Sequence, residues 1–238
     1  METLVFDVFG DYGHFKKYYT TSSPLTFSFP PPPTVKGMLG AIAGIDKTKY
    51  LKVFSKEKCR IAVRILKPVK KIRIGLNFIN TKDNFWIPYK KKKNHEARTQ
   101  IKAEFVKDPA YRIYFVHDDI DVFSDLAEKV KNHRNVYTLS LGLSEMIADF
   151  NFVGLYSAYE CIEKKVDIFS VLPFDQVVDN EISFESGKKY FKEKIPVDMN
   201  EERVVLDYSD IIYEVNGQSI KCRVKKSWEV NGEHVVFF

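Results

Sequence analysis

An α+β fold is what this sequence predicts, and three observations predict it. Apolar and polar residues alternate in segment after segment, the period of a half-buried strand. Two segments instead carry apolar residues at helical spacing. Strand and helix patterns interleave along the chain rather than fall into separate blocks. With 238 residues, 45% of them hydrophobic, there is enough apolar surface for a substantial core.

The first strand spans residues 3–9, where Leu4, Phe6 and Val8 share one side. It stops at Gly10, and a polar, aromatic loop fills residues 11–23. Pro30, Pro31, Pro32 and Pro33 cannot be helical within themselves. Thr34 stands at an N-cap position before a helix that reaches Ile45. Gly37, Gly40 and Gly44 cost that helix about 1 kcal/mol each relative to alanine, so close packing against a sheet or a nucleic-acid backbone is expected. Residues 59–66 turn Ile61, Val63 and Ile65 inward and Arg60 and Arg64 outward. Residues 71–79 repeat the scheme with Ile72, Ile74, Leu76 and Phe78 against Lys71, Arg73 and Asn77. The two strands are expected to form a hairpin joined at Pro68.

Residues 80–97 have no period and read as an inserted basic hairpin tip. Strands resume over 98–106 and 111–117, around the turn Lys107-Asp108-Pro109. Val122, Phe123, Leu126 and Val130 mark a second helix ending near Asn132. A short helix over 145–150 and strands over 152–161 and 166–171 follow. This order suits a ferredoxin-like domain over residues 1–172, a sheet with two helices on one face and a basic finger near 80–97. From Pro173 the chain is acidic and β-rich, with hairpin signals at Asn216-Gly217 and Asn231-Gly232. Residues 173–238 are therefore expected to form a smaller C-terminal β-rich subdomain.

Charge is unevenly placed. The whole chain carries +5, but residues 47–112 hold 20 Lys and Arg against 5 Asp and Glu, and residues 113–238 hold 14 against 23. A polyanion explains the basic third, because each cation seated on a phosphate releases a counterion; the alternative is a solvated basic face paired with the acidic half. Cys59, Cys161 and Cys222 are far apart and make no C-x-x-C pair, so neither a disulfide framework nor a zinc site is indicated, and each is expected to be a small buried side chain. No apolar run approaches a membrane span and no basic leader precedes the first strand, which points to the cytoplasm. No metal, organic cofactor or small-molecule substrate is indicated.

Candidate contacts follow from residue chemistry. Lys16, Lys17, Tyr18 and Tyr19 set cations beside rings, the pairing that neutralises phosphate and stacks on an unpaired base, and Thr20, Thr21 and Ser22 add hydroxyls; buried tyrosines and solvated lysines are the alternative. Lys36 and Gly37 lie near a helix N-terminus, where backbone N–H groups hold phosphate; a packing role for the glycines is the alternative. Lys90, Lys91, Lys92 and Lys93, followed by His95 and Arg98, can lie along a polyanion, since four consecutive lysines repel one another without one; a solvated face is the alternative. Gly142, between Ser140 and Ser144, is either a close approach to nucleic acid or a plain connector.

Residues 18–42, running from Tyr18-Tyr19-Thr20-Thr21 through the proline run to Lys36-Gly37-Met38-Leu39-Gly40, closely resemble the N-terminal signature of family five of the CRISPR-associated proteins, within the RAMP superfamily. Arg98-Thr99-Gln100, the segment from Lys107 to Tyr114 and the segment from Tyr137 to Glu145 continue the resemblance, which looks most like the type I-B branch. It implies a subunit that holds the 5′ handle of a guide RNA and caps one end of a Cascade surveillance complex, beside the repeated backbone subunit and the large subunit. It also places Gln100, Ser140 and Gly142 at the RNA.

In such machines the guide reads sequence by pairing, while the protein reads shape and backbone. One branch of the family cuts repeat RNA without metal, a reaction needing a base for the 2′-OH, an acid for the 5′-oxygen and a cation. His95 with Lys93, or His14 with Lys17 and Tyr18, carry such groups, but no Tyr, Lys and His set matches that branch, so binding without cleavage is expected. A general single-strand RNA binder outside any CRISPR system is the third alternative.

Overall fold

A computed structural model describes residues 1–20, 22–79 and 98–238. The fold is mixed α/β, mostly strand with few helices. The chain opens with β1 (Glu2–Gly10) and the short β2 (Tyr12–Gly13), then α1 (Pro32–Ala43) and the single turn α2 (Tyr50–Val53). β3 (Cys59–Ile65), β4 (Lys70–Ile79), β5 (Arg98–Lys107) and β6 (Ala110–His117) follow, and α3 (Ile120–Lys131) leads to β7 (Ala148–Ser157). Next come β8 (Tyr159–Ile168), β9 (Leu172–Pro173) and β10 (Val177–Ser183). The chain finishes with β11 (Tyr190–Met199), β12 (Val205–Glu214), β13 (Ile220–Val230) and β14 (Glu233–Val235).

A four-stranded antiparallel sheet in the order β3-β6-β1-β7 organises the molecule. Alternation gives it two apolar faces. Leu4, Phe6, Ile61, Val63, Ile113 and Phe115 pack on one side against Val35, Leu39 and Ile42 of α1 and Phe123, Leu126 and Val130 of α3. Each such side chain, taken fully from water, stabilises the fold by about 1.5 to 3 kcal/mol. Val5, Ala62, Tyr114 and Val116 on the other side meet Val230 and Val235 from the last two strands and Phe237 just beyond them.

A charged cluster pins β14 to that second face. Arg112 donates to Asp7 through Nε (2.8 Å) and a terminal nitrogen (3.1 Å), while Glu233 accepts from Arg64 and from the Tyr114 hydroxyl. Burial works to raise the Glu233 carboxyl, but Arg64, Tyr114 and Arg112 outweigh it and hold it below its ordinary value.

The helices begin by different devices. Asp119 caps α3, accepting from the Asp121 and Val122 N–H groups. The cap position of α1 is Pro31, not Thr34, and Pro32 and Pro33 open the helix. None of the three has an N–H, and those of Thr34 and Val35 both donate to the Pro31 carbonyl at 2.9 and 3.1 Å. The donors that usually need a cap are absent or already paired. At the other end Gly44 takes φ +81°, and Lys129 of α3 donates to the Ala43 carbonyl.

Several expected pairings differ. β3 and β4 do not form a hairpin: β3 pairs with β6, and β4 pairs with β5 in a second sheet, β2-β5-β4, from Lys70 opposite Lys107 to Ile79 opposite Arg98. The linker between them is carried off by the C-terminal half, the Val69 N–H donating to the Val215 carbonyl. Residues 145–150 are not a helix but a turn closed by Ser140 opposite Ile147, then the start of β7. The strand expected over 152–161 divides at Ala158, where the chain leaves the first sheet and enters another, β10-β13-β14-β8.

Asn231-Gly232 makes the expected hairpin between β13 and β14, with both residues at positive φ. Asn216-Gly217 makes a turn but no hairpin, because β12 belongs to the sheet β11-β12-β9 and β13 does not. Cys59 and Cys222 are buried as expected, their thiols pushed up to about 12 by burial, whereas Cys161 is partly exposed. Among the described residues no helix is long and apolar enough to cross a membrane, and no group of three His, Cys, Asp or Glu side chains is placed to hold a metal.

Candidate nucleic-acid interface

A groove of about 350 Å³ runs between the loop after β2, the N-terminal half of α1 and the Gly142 turn. Lys16, Thr34, Gly37, Ser140 and Gly142 line it, with Met199 from the end of β11. Four of the residues expected to contact nucleic acid, remote in sequence, thus meet in one place: Lys16, Gly37, Ser140 and Gly142.

Backbone geometry builds this groove. The His14 N–H donates to the Leu141 carbonyl at 2.9 Å, tying the turn to the chain after β2. Gly142 follows at φ +101°, and a Cβ there would run into the His14 carbonyl oxygen, so only glycine fits. Thr26 fixes the other side of the loop by accepting from the Phe15 N–H at 2.8 Å.

Two expected cation contacts are withdrawn from the surface. The Lys17 ammonium lies 2.6 Å from Glu193 of β11, and that of Lys36 lies 3.2 Å from Asp198. Burial opposes the charge on Lys17, yet the hydrogen bond and attraction of Glu193 raise its pKa above the ordinary value. Lys36 and Gly37 also lie beyond the first turn of α1, so their N–H groups serve the helix and not a ligand. Gly40 of α1 and Gly44 at its end face protein: a Cβ on Gly40 would come within 2.9 Å of Tyr50 of α2, and one on Gly44 would run into Val136.

Tyr18 and Tyr19 are exposed, at 48% and 59%, with their rings 5.1 Å apart and nearly perpendicular. Ser22 is also exposed, and the Thr20 hydroxyl donates to the Lys17 carbonyl and accepts from the Leu25 N–H, holding the loop closed. Arg98 and Gln100 sit exposed at the far end of β5, opposite Ile79 and Asn77, with Arg73 and Lys102 on the same side of the β4–β5 ladder. That face is basic and polar. Thr21, Lys90, Lys91, Lys92, Lys93 and His95 lie outside the described residues.

His14 is buried, and its Nδ1 donates to the Glu104 carbonyl at 2.7 Å, which places the proton on that nitrogen. Lys17 is held by Glu193, so the grouping of His14, Lys17 and Tyr18 does not assemble into an acid, a base and a free cation. Sequence reasoning missed Tyr208 of β12, whose ring lies 4.9 Å from that of Tyr18. An aromatic residue in an acidic strand gives no signal of a partner so distant in sequence.

Comparison with solved structures finds this architecture elsewhere. A CRISPR protein from Archaeoglobus fulgidus is 17% identical, with 98% of this chain and 97% of that one aligned at a TM-score of 0.59. A chain of a CRISPR RNA-guided surveillance complex is 9% identical, with 92% and 91% aligned at 0.55. A chain of the Type III-B Cmr-beta complex bound to cognate target RNA and AMPPnP is 13% identical, with 93% and 86% aligned at 0.50. Among curated proteins no sequence match is found. The fold is thus one shared with strand-rich CRISPR-associated proteins. The family described as CRISPR-associated protein (Cas_Cas5) matches residues 3–210, and this chain belongs to it.

Proposed function

We propose that this chain is the guide-RNA-binding subunit of a type I Cascade surveillance complex of the I-B kind, capping the 5′ handle of the guide in the cytoplasm. The backbone and large subunits are its neighbours in that reading, with the acidic C-terminal half as a docking surface for basic partners. We read the sheet β3-β6-β1-β7 with α1 and α3 as the ferredoxin-like core of a RAMP domain, and the β4–β5 ladder as the base of its basic finger.

The observation that carries this reading is the groove, where a cation, a helix face and a glycine turn that admits no side chain converge in a member of the Cas5 family. Such a site holds a single strand by phosphate contacts and close backbone approach, without chemistry.

The test is binding of a repeat-derived 5′-handle RNA across a salt series in buffer containing a chelator. Affinity is expected to fall steeply with salt, Lys16→Ala to reduce the slope by about one, and the RNA to be recovered uncut. A flat salt dependence removes the basic face from the interface, and specific cleavage replaces the binding reading by the endoribonuclease one.

A further inference from the structure

Three tyrosine rings from two ends of the chain meet on the surface. Tyr18 stands 5.1 Å from Tyr19 at 88° and 4.9 Å from Tyr208 at 54°. All three are exposed, Tyr208 at 37%. Lysines flank the rings: the Lys194 ammonium lies 5.8 Å from the Tyr208 ring, and that of Lys17 lies 6.0 Å from the Tyr19 ring. The hairpin that supplies Tyr208 is held in place. Lys17 binds Glu193 and Lys36 binds Asp198, both on β11, and register shifts beside Pro196, Asp198 and Met199 break its ladder with β12 where Tyr208 pairs.

We propose that Tyr208 and Lys194 complete, with Tyr18 and Tyr19, a stacking subsite for one unpaired nucleotide of a single-stranded RNA; the inference rests on the RNA-binding reading above. Rings set at a right angle form an open corner, in which a planar base stacks on one face while its edge meets the next ring. A cation beside the outer ring suits the phosphate that every nucleotide carries, and stacking tolerates any base. A protein anchor would instead seek a closed apolar pocket. Lys16, which lines the groove, immediately precedes the tyrosine loop's Lys17, while Tyr208 and Lys194 line a second cavity of about 520 Å³ that also receives Lys36 and Lys56.

The experiment uses a short repeat-derived single-stranded RNA carrying 2-aminopurine at one position at a time. Binding to the parent chain is expected to quench the probe at one position. Tyr208→Leu, which keeps an apolar side chain but removes the ring, is expected to relieve that quenching and weaken binding about five- to a hundredfold with the salt slope unchanged. Tyr208→Phe is expected to match the parent, and Lys194→Met to lower the salt slope by about one. An unchanged unfolding temperature establishes that the variants are folded.

If the parent binds with a steep salt slope and folded Tyr208→Leu keeps both affinity and quenching, the subsite is wrong, as it would be on a surface reserved for a protein partner. If the parent binds no RNA, the functional reading falls and the subsite with it.

Discussion

Lys17 and Glu193, 176 residues apart, form a 2.6 Å ion pair in which both side chains are largely out of water. It joins the loop carrying Tyr18 and Tyr19 to β11 and so to the C-terminal sheet. Lys17 therefore acts as a fastening, and Lys16, its exposed neighbour, as the cation available to a ligand.

Removing one partner of such a pair leaves the other buried and uncompensated. Lys17→Met is expected to cost about 3 to 5 kcal/mol of stability, read as a lowered urea midpoint, and Lys17→Met with Glu193→Leu to recover much of it. An unmoved midpoint together with a reduced salt slope for RNA would reverse the roles of Lys16 and Lys17.

Gly142 sits at φ +101° against the His14 carbonyl. Gly142→Ala is expected to destabilise the chain by more than about 1 kcal/mol and to weaken RNA binding at every salt concentration, because the turn must move out of the groove. Parent-like binding and unfolding would mean that the turn is not a fixed wall of the site.

Glu233 links stability to acid. Its folded carboxyl is held below the ordinary 4.5, so its contribution is fully present above that value and is lost as pH falls through the depressed folded value. In Glu233→Gln this part of the acid dependence is expected to vanish, while stability at neutral pH also falls because Arg64 loses its partner. Parallel stability curves for parent and variant from pH 7 to pH 3 would show that the cluster does not titrate with folding.

The sequence made the elements legible and many of their partners not. Alternation in residues 59–66 and 71–79 identifies two strands and their inward faces, but it says nothing of which strand lies alongside, and Pro68 suggested a turn where the chain crosses to Val215. The run from Glu145 to Phe150 is too short for periodicity to separate a helix from a turn entering a strand. Asn231-Gly232 could be read because its hairpin is local. Asn216-Gly217 has the same chemistry, yet Glu214 accepts from the Asn216 and Gln218 N–H groups and the next strand joins another sheet.

At the site, Lys16 and Gly142 could be singled out, but nothing in the sequence chose between close approach and plain connector for Gly142 or separated exposed Lys16 from buried Lys17. The burial of Lys36 was not legible either, since Asp198 lies 162 residues away.

The proline entrance of α1 has a consequence beyond its missing donors. Three successive residues have φ confined near −65° in the unfolded chain as well as in the folded one, so less backbone freedom is lost when this entrance is ordered. The wall of the groove formed by Pro33, Thr34 and Gly37 is thereby preorganised. A strand entering it meets a surface whose entropy was surrendered during synthesis of the chain, and its binding free energy is not diminished by arranging that wall.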